Sequence, residues 1–129
     1  MALTLRLGAL LVFSVALSFA ETWSGSLVDS KCYASEERNV NPTDTLTNVD
    51  RDRNEEIRFC SPRSKTKSFA LVQFDGQSLQ LDSAGNTKAS ELVRKSGKRH
   101  PFNVVITGEM AGKSIKVDSI AVSPSTERH

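Results

Sequence analysis

Residues 86–97, NTKASELVRKSG, interrupt a chain otherwise written in strand periodicity, and that interruption restricts the fold more than any other feature. Ala89, Leu92 and Val93 stand at the i, i+3, i+4 spacing of one helical face. Asn86 or Thr87 can cap the start, and Gly97 can adopt the left-handed conformation that ends a helix. On either side, apolar residues recur with the period of a strand. Thr22–Ser30 carries Trp23, Gly25 and Leu27 on one parity, which predicts a half-buried first strand. Ser68–Phe74 (SFALVQF) is a buried-type run, and Leu79 and Leu81 alternate after the hairpin signal Asp75-Gly76. Phe102, Val104 and Ile106 share one face of a fourth strand, with Val105 on the other. Gly108 to Gly112 makes the next turn, and Ile115 and Val117 begin a fifth strand. Ile120 and Val122 continue it on the opposite parity, which predicts a β-bulge near Asp118-Ser119. Pro124 ends the strand, and the tail STERH is expected to be mobile.

The resulting order is β-β-β-α-β-β, an all-β chain with one short helix. A helix between strands three and four of a five-stranded Greek-key barrel marks the OB-fold, and that barrel is the predicted architecture. A two-sheet sandwich is the alternative.

Ahead of the first strand, MALTLRLGALLVFSVALSFA has a single charge, Arg6, followed by 14 uncharged residues from Leu7 to Ala20. A spanning helix takes about 20 apolar residues. This shorter run, ending in Ser18-Phe19-Ala20, reads instead as a cleavable secretory leader. Residues 1–20 are assigned to the signal peptide and 21–129 to a single domain. That domain holds 16 basic and 15 acidic residues, net +1, which argues against a dedicated polyanion binder. It contains no second apolar run of spanning length. A secreted or periplasmic location follows.

Cys32 and Cys60 are the only cysteines. In an oxidising compartment they are expected to pair. The bridge closes a 29-residue loop and stabilises by about 3.6 kcal/mol in the chain-entropy model. That is a large share of the roughly 5–15 kcal/mol that holds a small domain together. A nucleophilic cysteine needs a thiolate held by a base, and the histidines are His100, before a proline, and His129, the last residue. A structural zinc site needs four ligands at short spacings, which two cysteines and two scattered histidines do not offer. No cofactor or metal is expected.

The connection from strand one to strand two, Cys32 to Lys67, is far longer than an ordinary hairpin loop. Its apolar residues are few: Tyr33, Val40, Leu46, Val49, Ile57 and Phe59, with room for one short helix over Asp50–Arg58. Charge is segregated along it. Glu36–Glu56 contains seven acids and three arginines, net −4, while Arg58–Lys67 contains four basic residues and no acid, net +4. A disulfide would bring the two halves together, where they can neutralise each other.

The stretches WSGSLVDSKC, FALVQFDGQSLQLD and VVITGEMAGKSIKVDSIAV resemble small exported bacterial OB-like barrel proteins of unknown function. More distantly, they are similar to the periplasmic bacterial OB-fold proteins implicated in stress tolerance. The likeness covers most of residues 21–129 and runs through Gly25, Asp29, Asp75-Gly76, Thr107-Gly108-Glu109 and the final Ile-x-Val. It implies the barrel and export, and no catalytic residue. The cysteine-bearing loop departs from the shorter connection of the periplasmic relatives.

Three chemical motifs are incomplete in this chain. Gly108–Ser114 (GEMAGKS) is one residue short of a phosphate loop and runs into a strand where that motif needs a helix. Asp50-x-Asp52-x-Asn54 opens like a calcium-binding loop, but Glu55 replaces the sixth-position glycine and Ser61 the twelfth-position glutamate. Asp29 shares the parity of Trp23 and Leu27, and it is expected to cap a backbone turn before Cys32 rather than to act as a lone general acid.

The expected function is therefore that of an exported, non-catalytic binding or structural module, not an enzyme. The alternative is an enzyme inhibitor or small enzyme acting through the 32–67 loop, with Tyr33 or Leu46 as the anchor of an inhibitor. OB barrels bind on the face of strands two and three, between the one–two and four–five loops. That places a hypothetical site at Arg63, Lys65, Lys67 and, opposite, Lys113. The expected partner is an acidic glycan or envelope protein. Single-stranded nucleic acid is disfavoured, because it stacks on exposed aromatics and Phe69 and Phe74 have opposite parities. A second basic cluster, Arg94, Lys95, Lys98 and Arg99, is expected to lie away from that face.

Overall fold

The structure, a computed structural model, describes residues 20–37 and 46–124, with side chains described for 20–36 and 52–124. The expected leader up to Phe19, loop residues 38–45 including Val40, and the expected mobile tail from Ser125 lie outside the described residues.

Five strands form where the period-two pattern predicts them: β1 (Glu21–Asp29), β2 (Phe69–Gln73), β3 (Ser78–Leu81), β4 (Phe102–Ala111) and β5 (Ser114–Val122). They close into a ring in the order β1-β2-β3-β5-β4, with β1 also paired to β4. All neighbours are antiparallel except β3 and β5, which run parallel. Inward-pointing residues of one parity fill the ring: Leu27, Phe69, Leu71, Leu79, Leu81, then Phe102, Val104, Ile106, Ile115 and Val117. Burying a side chain of this kind contributes about 1.5–3 kcal/mol relative to leaving it exposed.

The turns follow their residues. Phe74–Gln77 joins β2 to β3, and the Gln73 N–H donates to the Gln77 carbonyl at 2.9 Å, leaving Phe74-Asp75-Gly76 as the loop proper. Gly76 takes φ +89°, its N–H donates to the Gln73 carbonyl at 2.9 Å, and the Asp75 carboxylate accepts the Gln77 N–H at 2.9 Å. This is a three-residue hairpin loop ending in a left-handed glycine. β4 runs on to Ala111, so the next turn is tighter than the expected Gly108–Gly112 and consists of Gly112-Lys113 alone. Gly108 belongs to the strand instead, where a Cβ would overlap the Lys116 carbonyl oxygen. Register passes from Thr107↔Ser119 to Gly108↔Val117, leaving Asp118 as the extra residue of a bulge where the parity change places it.

Helix α3, as numbered in chain order (Ser83–Ser96), lies between β3 and β4. It starts earlier than Asn86 or Thr87 because Asp82 is the cap, accepting the Gly85 N–H at 2.8 Å. Asn86 serves a different contact. Its side-chain oxygen accepts the Phe69 N–H at 2.9 Å and ties the helix to β2. The helix ends at Gly97 as expected, with a positive φ of +72°, but its ψ of −171° is extended and not that of the left-handed cap. Ala89 and Val93 pack into the ring's core.

One short helix is too few. Two more, α1 (Ser30–Glu37) and α2 (Leu46–Phe59), occupy the β1–β2 connection, and α2 extends past the expected Asp50–Arg58 at both ends. The physical reason is a second core on the outside of the ring. Val28, Ala70 and Val72 point outward from β1 and β2, and Tyr33, Ile57 and Cys60 cover them. β2 is thus buried on both faces, which is why SFALVQF lacks polar alternation. The first strand is half-buried only at its start; from Gly25 to Val28 it is buried throughout. The Cys32–Cys60 disulfide, S–S 2.06 Å, fastens α1 to the residue following α2. Among the described residues, no helix is long and apolar enough to cross a membrane.

Candidate functional site

The site grows out of Asp29, at the end of β1. One carboxylate oxygen accepts the N–H groups of Lys31 and Cys32, each at 3.1 Å, and so caps α1. This is the capping role its position predicts. The other oxygen accepts the Thr66 hydroxyl at 2.9 Å. Thr66 is buried and closes a turn with Arg63: its N–H donates to the Arg63 carbonyl at 3.0 Å, and its Oγ1 accepts the Arg63 N–H at 3.0 Å. The Asp29 N–H donates to the Cys60 carbonyl at 2.8 Å, and the Ser30 and Ser68 hydroxyls are hydrogen-bonded. One carboxylate therefore fixes the helix carrying Cys32 and the turn carrying Arg63.

Arg63 lies against the C-terminal part of α3. Pro62, Arg63 and Ser64 on one side, and Val93, Arg94, Lys98 and His100 on the other, line a cleft of about 660 Å³. Arg63, Arg94, Lys98 and His100 are exposed at its rim, and none of the lining residues is acidic. A neighbouring depression of about 340 Å³ holds Lys67 and Arg94 together with Asn86, Ser90 and Glu91. The C-terminal turn of α3 contributes Arg94 and Lys95, where the partial negative charge of the last carbonyls favours cations.

This arrangement changes the expected geography. The outer face of β2, half of the anticipated binding surface, is filled by Tyr33, Ile57 and Cys60 of the insert. Arg63 and Lys67 face α3 instead, with exposed Lys65 on the turn between them. Half of the second basic cluster does not lie away from the first: Arg94 and Lys98 share the cleft with Arg63, while Arg99 lines a different depression. Lys113 is exposed on the β4–β5 turn, beside β3, where Gln80 is in register with Ser114. Sequence separation conceals that Arg63 and Arg94 line one cleft, which depends on how the insert returns to β2.

The discarded motifs have structural fates. GEMAGKS forms the turn end of the β4–β5 hairpin, and a strand, β5, follows it where the motif needs a helix. Asp52 and Asn54 lie within α2 and not on a loop. Among the described residues, no three of His, Cys, Asp and Glu converge as metal ligands would. Tyr33, the anchor expected of an inhibitory loop, is only 3% exposed and belongs to the second core. Comparison with family models, with curated proteins and with solved structures finds no match.

Proposed function

We propose that the chain is an exported, non-catalytic binding module with an OB-like barrel, and that its cleft between the 62–64 turn and α3 receives an acidic glycan of the cell envelope. The OB reading is supported by the ring order β1-β2-β3-β5-β4, with α3 between β3 and β4. Export is supported by the leader-like residues 1–20 and by the disulfide. The observation that carries the ligand class is the convergence of Arg63, Arg94 and Lys98 on one cleft whose lining has no acid.

Exposed ion pairs contribute about 0–1 kcal/mol each. Three such cations together supply at most about 3 kcal/mol, so a single acidic sugar binds with a Kd of several millimolar or weaker. Binding is salt-sensitive, since exposed charges are screened beyond about 8 Å at physiological ionic strength. The test is a titration of the mature protein with oligogalacturonate at low salt. Arg94→Ala/Lys98→Ala and Arg63→Ala should each weaken binding several-fold. Loss on Lys113→Ala alone would return the site to the β3–β5 surface. Equal loss from all variants would mean diffuse attraction and no site.

A further inference from the structure

Phe74 is 80% exposed, the most exposed large apolar side chain among the described residues. It occupies the first position of the β2–β3 hairpin loop, where the turn itself needs only Asp75 and Gly76. Packing does not account for an aromatic ring there. Two depressions meet at it. One, about 490 Å³, runs over Ser24 and Gly25 of β1 to Arg99 and Val122. The other, about 270 Å³, runs towards Asn54 and Arg58 of α2. Both are lined by Phe74, Pro101 and Asn103, so they form one groove across the outer side of β1. No acidic residue lines either part. Asn103 is held in place by the Ser26 hydroxyl, which donates to its side-chain oxygen at 2.7 Å.

The α3–β4 linker separates this groove from the cleft of Arg63 and Arg94. Its residues divide between the two sides: Gly97, Lys98 and His100 line the cleft, while Arg99 and Pro101 line the groove. The linker is thus a ridge with a cation on each flank.

We propose that the groove is a second subsite for the same acidic polysaccharide chain, which crosses the ridge, stacks one sugar ring on Phe74 and places its carboxylates at Arg99 and Arg58. The acidic-glycan class rests on the function proposed above, but the residues and the recognition chemistry are separate. A pyranose presents an apolar ring face that an exposed aromatic can cover. Its hydroxyls suit amides, and Asn54, Gln73 and Asn103 line the groove. Its carboxylates suit the planar fork of arginine. Nucleic acid binders present successive aromatics for successive bases, and here a single ring is offered. Two weak subsites on one chain also answer the affinity problem of the cleft alone, because linkage makes the second contact intramolecular and raises avidity by up to about 10²–10⁴-fold.

The experiment compares a short and a long oligogalacturonate on the mature, disulfide-bonded protein, with single-stranded DNA of matched charge as a competitor. Phe74→Ala and Arg99→Ala remove the groove, and Arg94→Ala/Lys98→Ala removes the cleft. The expected result is that Phe74→Ala lowers affinity for the long oligomer about ten-fold, with most of that loss persisting at raised salt. Phe74→Leu should recover part of it, and Arg99→Ala should give a loss that salt abolishes. If Phe74→Ala leaves long-oligomer affinity unchanged while the cleft variant loses it, the groove is overturned and the cleft stands. If the groove variants lose affinity and the cleft variant does not, the groove stands and the cleft reading falls. Tighter binding of the DNA than of the glycan would overturn the ligand class.

Discussion

The Thr66 hydroxyl donates a 2.9 Å hydrogen bond to Asp29, joining the end of β1 to a turn 37 residues further along the chain. Because the same carboxylate caps α1, breaking it loosens two structures at once. Asp29→Ala should cost about 1–2 kcal/mol from the lost cap, and Thr66→Val about 1 kcal/mol from the lost hydrogen bond. In a double-mutant cycle by urea denaturation the two effects should be less than additive, as for groups in contact. Strict additivity would mean that the turn and the cap are independent.

Removing the disulfide tests whether the insert is a separable layer. Cys32→Ser/Cys60→Ser should cost about 2–4 kcal/mol, and hydrogen exchange should rise first at the amides of α1 and of Ile57–Cys60. β4 and β5, which border neither cysteine, should keep their protection. Uniform loss of protection would show one cooperative unit and no layering. Two reactive thiols in the unreduced, denatured protein would contradict the bridge itself.

Gly85 sets two effects against each other. Alanine is the better helix former by about 1 kcal/mol. At this position, however, a Cβ would lie 2.5 Å from Val117 Cγ2 and 2.8 Å from the Asp82 carboxylate that caps the helix. Overpacking of this kind costs about 1–3 kcal/mol, and the perturbed cap adds to it. Gly85→Ala should therefore be net destabilising, whereas Thr87→Ala, at an exposed position of the same helix, should stay within about 0.5 kcal/mol of the parent. A neutral Gly85→Ala would mean that α3 shifts freely over β5.

The proposed export places a definite end on the chain. Glu21 pairs with Gly108 at the start of β1, so cleavage after Ala20 leaves a protein whose first residue is already in the sheet. Intact mass of the secreted material should correspond to a chain beginning at Glu21 and lighter by the hydrogens lost in one disulfide. A mass that retains residues before Glu21 would refute that leader boundary.

How far the fold can be read from residues varies with the range of the interactions. The five strands, the Asp75-Gly76 hairpin, the Asp118 bulge and the Gly97 helix end are all written locally, in parity and turn chemistry. The cap of α3 stands earlier than the residues suggest, because Asp82 looks like the end of a strand until its contact with Gly85 is seen. α1 is hardly legible, and α2 is legible only over its Asp50–Arg58 part. Their apolar content is thin, and no local signal marks Val28, Ala70 and Val72 as the surface they cover. The unbroken apolar run of β2 announces that both its faces are covered without saying by what. The candidate cleft is hidden for the same reason, since Arg63 and Arg94 come to line one cleft only through the path of the insert.

Each strand of the ring has a neighbour on both sides. Along the lengths paired on both sides, a partner has no free edge on which to add a strand, the route that peptide-binding sheets with an open edge provide, while β5 beyond Ile115 is paired to β4 alone. In the proposed binding mode, recognition passes through side chains on the outer surface. Changes in specificity would accordingly arise by exchanging single residues on the insert, the hairpin tip and the α3–β4 linker, while the ring beneath them stays constant.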